Sequence, residues 1–240
     1  MVDFITPILK GVKQELKQHI DPEYRDGERR FFKEAIKNFG VRLPERRKIA
    51  AKFWPEVKNF NKAKLFALAN KMFQAGYNEL ASIASSWIWR RREEFQPEDF
   101  RVFAKWVEKY FDNWAKIDDF CTHSLGYLVN QYPELVKNLL TWTNSKNRWV
   151  KRAAAVSLIY PFGQRKKYLP MIFKIAGKLL VDKDDMVQKG YGWMLKEASK
   201  YNQKEVFAFV MKHKNKMPRT ALRYAIEKLP TRLKQKAMVK

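Results

Sequence analysis

Apolar residues recur at spacings of three and four along almost the whole chain, and runs of β-branched residues in two-residue alternation are absent. This pattern predicts an all-α protein. Phe100, Phe103, Trp106, Val107, Tyr110 and Phe111 form one stripe; Leu65, Phe66, Leu68, Ala69, Met72 and Phe73 form a second; Leu169, Ile172, Phe173, Ala176, Leu179 and Leu180 form a third. Each reads as the buried face of an amphipathic helix.

Helix breakers fall at short intervals: Asp21-Pro22, Gly40 to Pro44, Pro55, Gly76, Pro97, Asp112-Asn113, Pro133, Asn144 to Asn147, Gly163, Asp182 to Asp185, Asn202 and Pro218. Roughly a dozen helices of about 10 to 18 residues fit between them. Paired as hairpins of about 35 to 45 residues, they predict an α-solenoid, a right-handed stack of HEAT-like repeats. A four-helix bundle would need fewer and longer helices. The repeat expectation rests on length and spacing, because no repeated consensus accompanies it. With no linker or low-complexity segment to divide it, the chain reads as a single domain over residues 1–240, with a concave face between its stacked pairs.

Charge then narrows the partners. Lys and Arg outnumber Asp and Glu by 49 to 25, a net +24, in a chain with eight tryptophans and seventeen phenylalanines. A cationic surface rich in rings suits a nucleic acid, whose phosphates take the charge and whose bases or sugars take the ring faces. The excess is uneven: residues 147–240 carry 23 Lys plus Arg against 6 Asp plus Glu, net +17, and the first 146 residues carry +7. The C-terminal half is the better candidate for a phosphate-facing surface, the plainer reading being solvated helix faces.

Other classes recede. No apolar run approaches the roughly 20 residues that span a bilayer, and the N-terminus lacks the basic, apolar and small-residue succession of a signal peptide. A cytoplasmic, nucleoid-associated protein is expected. A single cysteine, Cys121, allows no internal disulfide, and His19, His123 and His213 are too scattered to complete a metal site. Cys121 reads as a small buried hydrophobe. No metal and no cofactor are expected.

Three stretches could carry chemistry. In Asp112-Asn113-Trp114-Ala115-Lys116-Ile117-Asp118-Asp119, Asp112 or Asn113 can cap a helix that places Trp114 in its first turn and Asp118 four residues on, on the same face. The alternative buries Trp114 in the core and leaves Asp118 as an acid favoured by the helix dipole. Ser145 to Ala155 reads as a capped helix start bearing the cations Arg148, Lys151 and Arg152. Val187-Gln188-Lys189-Gly190-Tyr191-Gly192-Trp193 sets two glycines within helical sequence, each costing about 1 kcal/mol relative to alanine. Close helix packing or close approach of a ligand beside Trp193 would compensate.

Taken in order, W-x-x-x-D at Trp114 and Asp118, N-x-W-x-x-R at Asn147, Trp149 and Arg152, and VQK-G-x-G-W ending in Trp193 resemble the AlkD-type family of DNA alkylation repair glycosylases. The resemblance extends to Asn38-Phe39-Gly40-Val41 through Arg47-Lys48-Ile49-Ala50 and to Tyr77-Asn78-Glu79-Leu80, covering most of the chain up to about residue 200. It implies HEAT-like repeats that hold duplex DNA in a basic concave groove, acting as a monomer without cofactor. It also implies hydrolysis of the N-glycosidic bond of N3- or N7-alkylated purines. Asp118 would be the catalytic carboxylate. Trp114 and Trp193 would pack against the lesion-bearing nucleotide, and Arg152 would hold a backbone phosphate. Arg148, Lys151 and Lys189 are further candidates for DNA contact. Two positions depart from the family pattern: Ala115 stands where a second acid is frequent, and Asp119 where an apolar residue is usual.

The chemistry is consistent with such a residue set. A purine alkylated at N3 or N7 is cationic and leaves as a neutral base without a general acid, so the task is to stabilise an oxocarbenium-like sugar and position water. The alternatives are a noncatalytic member of the same fold that binds damaged or branched DNA, a protein-binding α-solenoid scaffold, and an RNA-binding protein.

Overall fold

The computed structural model describes residues 4–159 and 166–239; the expected breaker Gly163 lies outside them. The protein is all-α, and among the described residues the only β-type pairing is one isolated bridge between Lys37 and Tyr77. No helix there is long and apolar enough to cross a membrane. The chain groups into two compact units, residues 1–96 with 101–120, and residues 97–100 with 121–240.

The first unit contains α1 (Ile5–Gln18), α2 (Pro22–Arg29), α3 (Leu43–Val57), α4 (Lys62–Gln74) and α5 (Asn78–Arg90), most of α6 (Asp99–Lys109), and α7 (Trp114–Phe120). Local chemistry sets most of the boundaries. The Asp21 carboxylate accepts from Tyr24 N at 2.9 Å, and Pro22 occupies the first turn of α2, where its missing N–H costs nothing. That bond and the Arg42 guanidinium hold the Asp21 carboxyl below its ordinary range. Gly76, at φ 81°, closes α4 in a left-handed conformation that an L side chain resists. Pro55 departs from expectation: α3 runs two residues past it, to Val57, before it ends. All six residues of the Leu65 stripe are buried on α4. They meet an aromatic cluster in which Phe103, Trp106 and Phe120 pack edge to face or stacked at 5.0–5.8 Å. Trp106 satisfies its buried N–H on Asn70 Oδ1 at 3.1 Å.

The second unit contains a π-helical turn, Cys121–Leu125, then α8 (Gly126–Gln131), α9 (Val136–Trp142), α10 (Arg148–Val156), α11 (Leu169–Leu179), α12 (Asp185–Ser199), α13 (Gln203–His213), α14 (Arg219–Ile226) and α15 (Thr231–Met238). Helix α12 lies at its centre, packed on α10, α11, α13 and α14. Cys121 is fully buried, and the Leu169 stripe is buried except for Phe173, which stacks on Phe209 at 4.7 Å. Tyr191 is fully buried and donates to the Leu180 carbonyl at 2.9 Å; burial raises its pKa well above the ordinary tyrosine value.

Candidate functional site

Helix α7, which carries Trp114 and Asp118, begins after Asn113 and passes without a break into the π-helical turn Cys121–Leu125. Tertiary hydrogen bonds hold it. Asn113, 1% exposed, caps it by accepting from Lys116 N at 3.2 Å. With Oδ1 committed there, Asn113 Nδ2 donates to Asn78 Oδ1 at 2.9 Å and to Asp112 Oδ1 at 2.8 Å. The buried Lys116 ammonium donates to the Gly76 carbonyl at 2.7 Å and to Asp112 Oδ1 at 2.8 Å. The start of α7 is thereby pinned to the start of α5 and to the turn that ends α4.

The same network joins motif segments far apart in sequence. The fully buried Glu79 carboxylate accepts from Gly40 N at 2.8 Å and Val41 N at 3.2 Å. Asn78 N donates to the Lys37 carbonyl at 2.9 Å, and Phe39 stacks on Tyr77 at 4.1 Å. Gly40 sits at φ 89°, and a Cβ there would lie 2.4 Å from Arg25 Cβ, so both backbone and space demand glycine. Asn38–Val41 and Tyr77–Leu80 thus form one support beneath α7. Sequence reasoning marked those segments without assigning them this work, and it missed Lys116 altogether. The available signal was a lysine three residues after a capping asparagine on an otherwise apolar helix face.

Trp114 does not pack in the core. Its ring is half-buried and stacks on Phe32 at 5.0 Å with 13° between the planes, and Nε1 donates to the carbonyl of the exposed Phe31 at 3.4 Å. Asp118, also half-buried, follows one turn later on the same face. The two departures from the family pattern face elsewhere: Ala115 and Asp119 line a cavity of about 180 Å³ with Glu28, Arg46, Asn78 and Ser82. Arg46 is held there by Glu28 at 3.0 Å, the Tyr24 hydroxyl at 3.0 Å and the Val41 carbonyl at 2.6 Å.

In the second unit, Asn147 caps α10 by accepting from Trp149 N at 2.8 Å. Arg152 is 6% exposed, and its Nη1 donates to the Met186 carbonyl at 2.6 Å. This arginine accounts for Gly190, where a Cβ would come within 3.1 Å of Arg152 Cγ. At Gly192 a Cβ would lie 2.7 Å from Tyr224 Cβ and 2.9 Å from the Ala221 carbonyl oxygen. Both glycines therefore serve close helix packing, α12 on α10 and α12 on α14. Trp193 is half-buried on α12, its Nε1 donating to Glu197 Oε1 at 3.2 Å.

The other candidate DNA contacts are engaged with carboxylates. Arg148 pairs with Asp184 at 3.2 Å while its guanidinium lies 4.6 Å from the Trp149 ring centre; Lys151 pairs with Asp182 at 2.5 Å, and Lys189 with Asp185 at 3.1 Å. Asp184 also caps α12, accepting from Met186 N at 2.9 Å and Val187 N at 3.2 Å. Three cations and three carboxylates leave this group without net charge, so little of the C-terminal excess resides here.

A family model of DNA alkylation repair enzymes matches residues 12–229. Among solved structures, a predicted DNA alkylation repair enzyme from Enterococcus faecalis is similar with a TM-score of 0.79 and 19% identity, over 89% of this chain and 98% of that one. At that identity the likeness speaks for the fold. No curated protein matches the chain.

Proposed function

The chain belongs to the DNA alkylation repair enzyme family, and we propose that it is a DNA glycosylase hydrolysing the N-glycosidic bond of cationic N3- or N7-alkylated purines in duplex DNA. One observation carries the reading. Helix α7 is clamped by buried polar bonds, yet presents a half-buried indole and, one turn on, a carboxylate.

In this reading Asp118 stabilises the positive charge that develops on the sugar and accepts a proton from the attacking water. Such a group contributes about 10² to 10⁴ in rate. The Trp114 face attracts the cationic nucleotide by roughly 0.5 to 2 kcal/mol, an attraction that neutral purine lacks. Its stacking on Phe32 fixes the ring orientation before substrate arrives. Trp193 packs against the same nucleotide, and Arg152, which ties α10 to α12 beside it, meets a backbone phosphate. Arg148, Lys151 and Lys189 reach phosphate by exchanging their carboxylate partners. The alkylated base leaves neutral, so the set needs no general acid.

Incubating the protein with methylated duplex DNA and measuring free 7-methylguanine and 3-methyladenine tests the reading. Release above a heat-killed control is expected. Asp118→Asn is expected to lower release by about two to four orders of magnitude with duplex affinity largely kept. No release with binding intact would favour the noncatalytic reading, a protein that binds damaged or branched DNA.

A further inference from the structure

We propose that the exposed cations of α13, α14 and α15 form a duplex-binding surface additional to Arg148, Lys151, Arg152 and Lys189, one that grips the sugar–phosphate backbone. The proposal rests on the DNA-acting reading of the family and not on the assignment of Asp118.

Residues 203–240 hold eleven Lys plus Arg and two carboxylates, Glu205 and Glu227. Both carboxylates are engaged by lysines from outside the segment: Glu205 by Lys166 at 2.6 Å and Glu227 by Lys196 at 3.1 Å. Among the described residues the segment's own cations make a single ion pair, Lys228 with Glu227 at 3.8 Å. Lys204, Lys212, Lys216, Arg223, Arg232 and Lys236 are exposed. This is the reverse of the balanced group around Asp182, Asp184 and Asp185. His213 senses the field: burial, then Lys212 and Lys216, push its pKa below the ordinary histidine value.

The cations stand on a built platform. Lys214 Nζ donates to the Lys236 and Val239 carbonyls at 3.3 and 2.5 Å, and Arg219 Nη1 donates to the Met238 carbonyl at 3.4 Å. These bonds satisfy the carbonyl end of α15. Ala237 of α15 and Ala221, Leu222, Ala225 and Ile226 of α14 are buried beneath. Arg219 with Arg223, and Arg232 with Lys236, are like charges four residues apart, an arrangement that destabilises an isolated helix. A polyanion offsets that repulsion. Four residues of helix rise about 6 Å, a scale on which cations can follow successive phosphates of one strand. Helix α15 lies beyond the family match, which ends at residue 229.

The test compares the parent protein with the triple variant Arg223→Gln, Arg232→Gln, Lys236→Gln. Binding to an unmethylated duplex is measured across a salt series. The slope of log affinity against log salt is expected to fall by about 2.7, roughly 0.9 for each phosphate no longer neutralised. Affinity at low salt is expected to drop at least tenfold. Single-turnover base release by the parent is measured alongside. An unchanged slope overturns the proposal. So does an equal loss in the control Lys10→Gln, Lys13→Gln, Lys17→Gln on α1, which would trace the effect to total charge. Charge-dependent binding to phosphatidylserine vesicles with no duplex binding also overturns it. If base release is absent but the slope falls as expected, the surface stands and the glycosylase reading fails.

Discussion

Helices α7 and α12 each carry a tryptophan proposed to face the damaged nucleotide, and the two are held in place by opposite means. At α7 the clamp is polar: Asn113, Asn78 and Lys116 place donors and acceptors between the helix and its neighbours. At α12 the clamp is steric: Gly190 and Gly192 let α10 and α14 approach at distances that a methyl group would block. A polar clamp fails when a partner is removed, and a steric clamp fails when an atom is added. The polar design suits the first turn of a helix, where backbone N–H groups have no partner within the helix. The steric design suits a fifteen-residue helix at the centre of its unit.

The contrast can be broken from either side. Gly192→Ala is expected to do the most damage, because the added Cβ meets backbone and the root of Tyr224, neither of which can swing away. A loss of about 1 to 3 kcal/mol or more is expected in denaturant unfolding. A variant as stable as the parent would show that α14 shifts freely and that no steric clamp exists. Lys116→Met comes next. It leaves the Gly76 carbonyl without its donor, whereas the freed Asp112 side chain is 66% exposed and returns to water. The expected cost is therefore that of a lost buried hydrogen bond, about 1 to 3 kcal/mol, and not that of an orphaned buried charge. Base release should fall with it if α7 positions Asp118. Gly190→Ala is expected to be mildest, since the Cβ meets Arg152 Cγ at 3.1 Å, part of a flexible side chain that can give. Its signature is a change in duplex affinity larger than the change in stability, because it disturbs Arg152. Equal changes in both would remove Arg152 from DNA contact.

The Leu65 stripe and the aspartate and asparagine caps were legible in the sequence because each depends on residues within one or two helical turns. The face shared by Trp114 and Asp118 was legible for the same reason. Pro55 misled by two residues, since α3 continues to Val57 before it ends. The cations Arg148, Lys151 and Lys189 show what a count along the chain leaves out. Counted along the chain they belong to a +17 half, but Asp182 and Asp184, more than thirty residues away from Arg148 and Lys151, return to neutralise those two, and Asp185 neutralises Lys189.

By itself the sequence determined the all-α character, the buried helix faces, most of the helix ends and the family, because these depend on short-range periodicity, capping and the order of motifs. Only the tertiary structure decided that Trp114 stays out of the core, that both glycines of α12 answer to neighbouring helices, and where the positive charge stands unbalanced by carboxylates. Those outcomes depend on which distant atoms arrive within about 3 Å, the range at which hydrogen bonds, ion pairs and steric contact act, and a linear count of residues carries no such distance.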